Sequence, residues 1–435
     1  MIDWQQSSAI VRAQSSRIAV TQLKIIVPGD KSITHRALML AAQARGRSEI
    51  RGGLIALDTK STARVLRALG CPVAPLVPGR PLQLEGGRLR RPGVTLDCGN
   101  SGTTARLIMG VLAASRFSAR LTGDRSLRRR PMRRGTEPLT AMGVRFAPPL
   151  ADRLPLQIRG GPLVPLRWEL PVSSAQLKSA LLFAGVAGGV PVAIREPAGL
   201  SRDHTERMLR ALGARVETRD GWIEFEPGAP LAPFSVEIPG DPSSAAFLVG
   251  AALIAGREIT IDRVGLNPTR TGFLTVLRRM GARIETESVA EALGEPVGSL
   301  WIGGGRLVAT DVAPVEIPGL IDEIPLLAVV AARAEGTTRF EEVGELRVKE
   351  SDRLALIAAN LRTLGYRATG EGNVLTVTGS DHPPRGRVIT EGDHRIAMAF
   401  AALGRAPGAS VRLDERDSVA VSFPTFFSSL ARFAR

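Results

Sequence analysis

Cysteine is nearly absent: Cys71 and Cys98 are the only two in 435 residues. That excludes a disulfide framework and a four-thiolate metal site, and free thiols suit a reducing cytoplasm. Aromatic residues make up 4% of the chain, with a single tyrosine, too few for the stacking platforms of single-stranded nucleic acid binders. No apolar run reaches the roughly 20 residues of a membrane span; the greasiest stretch, Ala180 to Ile194, is cut by glycines and Pro191. The N-terminal segment carries Asp3, Arg12 and Arg17 among Gln and Ser and has no apolar block of the signal-peptide kind. A cytoplasmic protein with no membrane and no nucleic-acid partner is therefore expected. Acidic residues are in deficit, 42 against 57 Lys and Arg, which leaves a net charge of +15. On charge alone this excess fits nucleic acid, acidic lipid or a small polyanion equally well, and the scarcity of aromatics decides against the first. A hydrophobic content of 44% marks a globular chain, and its length suggests two domains.

What is present is organised around Pro28-Gly29-Asp30-Lys31-Ser32-Ile33-Thr34-His35-Arg36, where a Pro-Gly turn runs into an apolar helical pattern that Gly46 stops. Asp30 or Ser32 can cap the helix, while Lys31 and Arg36 add cations where the helix dipole is already positive. That arrangement is stable only with an anion nearby and reads as a phosphate or carboxylate site. The pattern recurs. Helix openings follow Ser32 near residues 101, 174, 243, 322 and 394, in steps of about 70 residues. A second helix in each copy closes on Gly70, Gly143, Gly213, Gly281 or Gly365. β-like runs such as Ser48–Arg51 and Val94–Asp97 separate the two helices, which predicts an α/β fold of six repeats. Pro28-Gly29 and Pro239-Gly240 offer a boundary crossed twice, so two domains are expected: 1–28 plus 239–435, and an inserted 29–238. Helix N-termini converging on the cleft between them would trap anions.

Nine stretches in order carry a family resemblance: Pro28–Arg36, Gly99-Asn100-Ser101-Gly102-Thr103-Thr104 with Arg106, Arg130-Pro131-Met132, Ser174-Ala175-Gln176, Arg202–Glu206, Asn267–Gly272, Asp322-Glu323, Val348–Arg353 and Asp393–Met398. Over essentially its whole length the chain resembles the 5-enolpyruvylshikimate-3-phosphate synthase family of enolpyruvyl transferases. The resemblance implies two similar domains, each of three βαβαββ units with helices inside sheets (an inside-out α/β barrel), joined by a double-crossover hinge. It implies transfer of the enolpyruvyl group of phosphoenolpyruvate to the 5-hydroxyl of shikimate 3-phosphate, with phosphate released, on the way to chorismate and the aromatic amino acids. It also implies no cofactor, a monomer, and glyphosate as a competitor of phosphoenolpyruvate.

By that resemblance Lys31, Asn100, Gly102, Arg130, Gln176, Lys349, Arg353 and Arg395 surround phosphoenolpyruvate. Lys31, Ser32, Arg36, Ser174, Ala175, Gln176, Arg202, Asp322 and Lys349 hold shikimate 3-phosphate. Asp322 would accept the 5-hydroxyl proton and Glu350 would protonate C3, with Lys31 assisting. Those roles call for opposite protonation states, so Glu350 must be neutral when it acts. The free protein should be open, with basic faces that repel until substrate bridges them. Gly102, lacking a Cβ, would leave room for glyphosate.

Arg125–Arg134 holds six arginines in ten residues, a pattern typical of a flexible basic loop or a nucleic-acid patch, and only Arg130 receives a role. His35, His204 and His394 have no metal-site spacing and read as hydrogen-bonding or core residues, and no metal is implied. A lysine found in one branch of the family before Ser-Phe-Pro is Val421 here. Two rivals remain. A UDP-N-acetylglucosamine enolpyruvyl transferase carries a cysteine on a mobile loop corresponding to Arg125–Arg130, where this chain has none. A basic polyanion-binding protein would show steep salt dependence.

Overall fold

The computed structural model describes residues 23–197 and 200–433. Thirteen α-helices lie among them: α1 (Lys31–Gln43), α2 (Leu57–Ala68), α3 (Gly102–Leu112), α4 (Arg125–Arg129), α5 (Arg133–Ala141), α6 (Ala175–Gly188), α7 (His204–Ala211), α8 (Pro242–Ala255), α9 (Gly272–Arg279), α10 (Ile324–Ala331), α11 (Arg353–Thr363), α12 (His394–Leu403) and α13 (Phe426–Ala431). Helices α1, α3, α6, α8, α10 and α12 start within two residues of the six expected openings. Asp30 rather than Ser32 caps α1, its Oδ1 accepting from Ile33 N at 2.8 Å. Ser101, Asp241 and Asp393 cap α3, α8 and α12 in the same way. The five glycines expected to close the second helices have φ between 84° and 106°, the left-handed conformation that a side chain would strain.

Six sheets pack around these helices, and their pairing reveals the crossover. In four units the strand before the inner helix lies parallel to the strand after it, as Leu166–Glu169 does to Val192–Arg195 across α6. In the other two units the strands are exchanged. Leu23–Ile26, which precedes α1, pairs with Ile259–Gly265 after α8, and Ser235–Glu237, which precedes α8, pairs with Gly46–Arg51 after α1. The two connections run side by side: Gly29 and Gly240 form an antiparallel bridge, and Asp30 N and Asp241 N donate to Pro239 O and Pro28 O, each at 2.8 Å. A Cβ on Gly29 would lie 2.0 Å from Gly52 O, so only glycine fits there.

The inner helices are apolar all round because they are enclosed all round: α8 is buried from Pro242 to Ile254 and α10 throughout. Strands outside them alternate buried and exposed residues, as in Leu156–Arg159. This is the inside-out α/β arrangement. Buried apolar side chains fall into two clusters, one from Ile33 to Ile238 and one joining Ile25 and Val27 to Ala245–Phe433. Two units depart from the expected βαβαββ pattern. In the first, a lone bridge, Val73 to Leu84, replaces a hairpin strand, because Pro72, Pro75 and Pro78 lack the N–H groups a ladder needs. The sixth shows two strands, Arg385–Val388 and Ser410–Leu413. The arginine-rich stretch is not a loop but α4 and the start of α5, on either side of Pro131.

Candidate active site

All six inner helices bring their N-terminal ends to one cavity of about 560 Å³. Lys31 and Ser32 reach it from α1, Gly102 and Thr103 from α3, and Ser174, Ala175 and Gln176 from α6. Asp241 precedes α8, Asp322 lies two residues before α10, and Arg395 is in the first turn of α12. Six positive helix ends at one place favour anions before any side chain is counted.

The wall built from residues 31–202 carries six cations, Lys31, Arg36, Arg106, Arg130, Arg134 and Arg202, and one carboxylate, Asp58. Lys31 Nζ sits 3.1 Å from Asp58 Oδ2. Arg36 is buried and donates to Thr205 Oγ1 at 2.8 Å, Ser179 Oγ at 2.8 Å and Ser32 O at 3.0 Å. No described carboxylate touches it, and burial pulls its pKa down to about 10, as for a cation short of negative charge. Gln176 is fixed between Thr103 Oγ1, at 3.0 Å, and Arg106 Nη1, at 3.1 Å. Arg130 Nη2 donates to Asn100 Oδ1 at 3.0 Å, and its Nη1 lies 3.5 Å from Glu350 Oε1.

The opposite wall, from residues 241–395, carries five carboxylates, Asp241, Asp322, Glu342, Glu345 and Glu350, and three cations, Arg270, Lys349 and Arg395. Asp322 pairs with Arg202 and lies 3.4 Å from both Arg353 Nη1 and Arg395 Nη2. Burial alone would raise its pKa, but Arg395, Arg202, Lys349 and Arg353 hold it well below the usual carboxylate range. Glu350 lies 2.5 Å from Arg353 Nη2; burial again pushes its pKa up, and Arg353 and Arg130 outweigh it. These partners favour the ionised form of both carboxyls, whereas the proton-donor role expected of Glu350 needs it neutral. Burial lowers the Lys349 pKa, and this cation has no hydrogen bond or ion pair to any described residue.

The faces do not repel. Arg130–Glu350, Arg202–Asp322 and Arg134–Glu345, the last at 3.0 Å, cross the cleft and hold its walls together. Thirteen of the fifteen expected site residues line the cavity. Asn100 and Arg353 do not: Asn100 orients Arg130, and Arg353, 1% exposed, ties Asp393, Glu350 and Asp322 together. Val421 does not line it either. The sequence reading missed Asp58, Asp241, Glu345, Arg134 and Arg106. Arg106 stood in a matched stretch, as did Arg270, which the reading also left without a role; Arg106 braces its wall by donating to Pro131 O at 3.0 Å.

His35 and His204 are buried and hydrogen-bonded, to Thr62 Oγ1 and Glu295 Oε1, each at 2.7 Å. Burial and then Lys31 lower the His394 pKa to about 3, so that imidazole is neutral. Burial pushes Cys98 up to about 12 and Cys71 up to about 11, which leaves neither as a thiolate nucleophile.

A two-walled α/β cleft of converging helix ends, rich in arginine and holding paired carboxylates, defines a protein that binds small anions and can move protons between them. Residues 17–430 match the family model described as EPSP synthase (3-phosphoshikimate 1-carboxyvinyltransferase), and the chain belongs to this family. It is 47% identical to the 3-phosphoshikimate 1-carboxyvinyltransferase of Acidiphilium cryptum, with 95% of each chain covered, and 46% identical to that of Thermus thermophilus, with 94% of this chain and 96% of the relative covered. The solved EPSP synthase from Acinetobacter baumannii superposes with a TM-score of 0.82 at 36% identity, covering 94% of this chain and 95% of that one.

Proposed function

We propose that the protein transfers the enolpyruvyl group of phosphoenolpyruvate to the 5-hydroxyl of shikimate 3-phosphate and releases phosphate. One observation carries this reading: the cleft holds nine basic and six acidic side chains, and neither Arg36 nor Lys349 forms an ion pair with a described carboxylate, so that burial lowers the pKa of both. Two substrates bearing two phosphates and two carboxylates supply the missing charge. Both carry their own reactive groups, and the reaction as written needs no cofactor.

In this mechanism Asp322, kept ionised by its arginines, accepts the 5-hydroxyl proton as the oxygen attacks C2. Glu350 delivers a proton to C3. The ligand itself can protonate Glu350: a phosphate that engages Arg130 draws that guanidinium from Glu350 and brings negative charge beside it, and both changes raise its proton affinity. Elimination then returns a C3 proton to the Glu350 carboxylate as the C–O bond to phosphate breaks, the enol ether forms and phosphate leaves. Lys31, Ser32, Arg36, Ser174, Ala175, Gln176, Arg202 and Lys349 hold shikimate 3-phosphate. Lys31, Gly102, Arg130, Gln176, Lys349 and Arg395 surround phosphoenolpyruvate, with Asn100 and Arg353 acting one residue behind. The two apolar clusters are taken as the cores of two domains, 1–28 plus 239–435 and 29–238, working as a cytoplasmic monomer.

Purified protein mixed with both substrates should release phosphate. Replacing shikimate 3-phosphate with UDP-N-acetylglucosamine should abolish release. No phosphate above background with the first pair would overturn the reading.

A further inference from the structure

Behind the wall that carries Arg36 and Arg202 lies a sealed chain of charge that the reaction does not use. Lys178, on α6, is 0% exposed, and its Nζ sits 3.0 Å from Glu196 Oε2 and 2.8 Å from Glu206 Oε1, two carboxylates that are each 2% exposed. Nζ also donates to Ser201 O at 3.2 Å. Burying three charges is expensive, and such arrays are weak sources of stability compared with an apolar filling. A reason for this one has to be sought in what it holds.

Glu196 points outward to the cleft-lining backbone. Its Oε1 accepts from Ser174 N at 2.9 Å and Ser201 Oγ at 2.5 Å, and its Oε2 accepts from Ser201 N at 3.0 Å as well as from Lys178. Ser174, the residue at the N-cap of α6, and Ser201 both line the cavity. Ser201 precedes Arg202, and Asp203, which follows it, is fixed in turn by Arg207 at 2.8 Å and Asn267 at 2.7 Å. Arg202 therefore extends into the cleft from a backbone pinned on both sides, and Glu196 is the pin nearer α6.

We infer that Glu196, oriented by Lys178, is a positioning residue that sets the place of Arg202 and Ser174 and thereby the affinity of the cleft for the acceptor substrate. This rests on the proposed transferase reading. All four partners of Glu196 are donors. A carboxylate can accept from all four, whereas an amide has one accepting oxygen and turns an N–H₂ toward the remaining two. Glu196→Gln thus keeps the shape and reverses the polarity at half the contacts. Ser201→Ala removes a single bond and leaves the charges in place.

The test is steady-state kinetics of both full-length variants beside the wild type, with each substrate varied in turn. Glu196→Gln should raise KM for shikimate 3-phosphate tenfold or more while KM for phosphoenolpyruvate stays within twofold and kcat within threefold. Ser201→Ala should raise the acceptor KM about threefold. If both KM values and kcat of Glu196→Gln move together, its role is only structural and the inference falls. If Glu196→Gln does not fold, an unchanged acceptor KM in Ser201→Ala overturns the inference alone. A wild-type protein that does not turn the substrates over would overturn the transferase reading and this inference with it.

Discussion

The two walls of the cleft use the same residue types for different work. The wall from 31–202 presents six cations to one carboxylate, and the wall from 241–395 presents five carboxylates to three cations. The carboxylates proposed to move substrate protons, Asp322 and Glu350, come from the second wall, and most groups proposed to hold the substrates come from the first. Because the excesses are opposite, the two walls attract and pair. Anionic ligands then compete with Glu350 and Asp322 for the same arginines, so binding on one wall changes the proton affinity of the other.

The largest break in this division comes from the second wall. Asp322→Asn and Glu350→Gln should each lower kcat by roughly 10²–10⁴ while ligand binding changes much less, since each removes a proton carrier and keeps the shape. Near-normal turnover in either variant would take that residue out of the chemistry. Direct titration of bound phosphoenolpyruvate sharpens the comparison: its affinity should survive in Glu350→Gln, which frees Arg130.

A smaller effect is expected from Gly102→Ala on the first wall. A Cβ there would lie 2.7 Å from Arg106 Nη1 and 3.1 Å from Arg130 Nη1. The site has no vacant space beside Gly102; the methyl group displaces two guanidinium ends. Overpacking of about 1–3 kcal/mol corresponds to about 5- to 150-fold in affinity. The glyphosate inhibition constant should rise within that range, with a smaller rise in KM for phosphoenolpyruvate. Equal weakening of both ligands would mean that the methyl acts only through Arg130.

These positions also mark how much the sequence could tell. The six helix openings and the five closing glycines were legible because capping and left-handed turns are local chemistry written in neighbouring residues. The strand exchange was not, since Leu23–Ile26 carries no sign that its partner is Ile259–Gly265. Asp58 and Glu345 were invisible for the same reason: each matters through a partner far away in the chain, Lys31 and Arg134. Arg134 was set aside with its run of arginines, because charge runs are usually solvated. Glu350 was placed by resemblance, but its ionised state depends on Arg353 and Arg130 meeting it in space.

Acid should weaken the molecule in two stages. His394 is depressed to about 3, so as pH falls below about 6.5 the unfolded chain takes up a proton that the folded one refuses, and stability declines from there. Asp322 and Glu350 are also depressed, so their contribution is complete above the ordinary carboxylate range and is lost as pH falls below about 4 toward their folded values. Thermal denaturation followed from pH 8 to pH 3 should show Tm falling between pH 6.5 and 4.5 in the wild type and falling less steeply in His394→Gln, the remaining slope coming from His35, whose pKa burial also holds well below the ordinary histidine value. The steeper fall below pH 4 should become shallower in Asp322→Asn, with the Glu350 contribution remaining. A Tm independent of pH across the first range would place the proton affinities of both His394 and His35 near normal.

The smallest effect is expected at the rim, where Arg134 Nη1 reaches Glu345 Oε1 at 3.0 Å and Oε2 at 3.3 Å. Their side chains are 38% and 45% exposed, so water and salt screen the pair, and such contacts contribute about 0–1 kcal/mol. Glu345→Gln should therefore move Tm by about 2 °C or less and leave both KM values within about threefold. The inner pair Arg130–Glu350, with side chains 10% and 23% exposed, is screened less. Its disruption by Arg130→Met should weaken phosphoenolpyruvate far more than the rim change does. Small-angle scattering of the two variants without ligand separates their contributions to closure. Glu345→Gln should keep the wild-type dimensions, and an expanded Glu345→Gln molecule would put the attraction between the walls at the rim rather than at the floor.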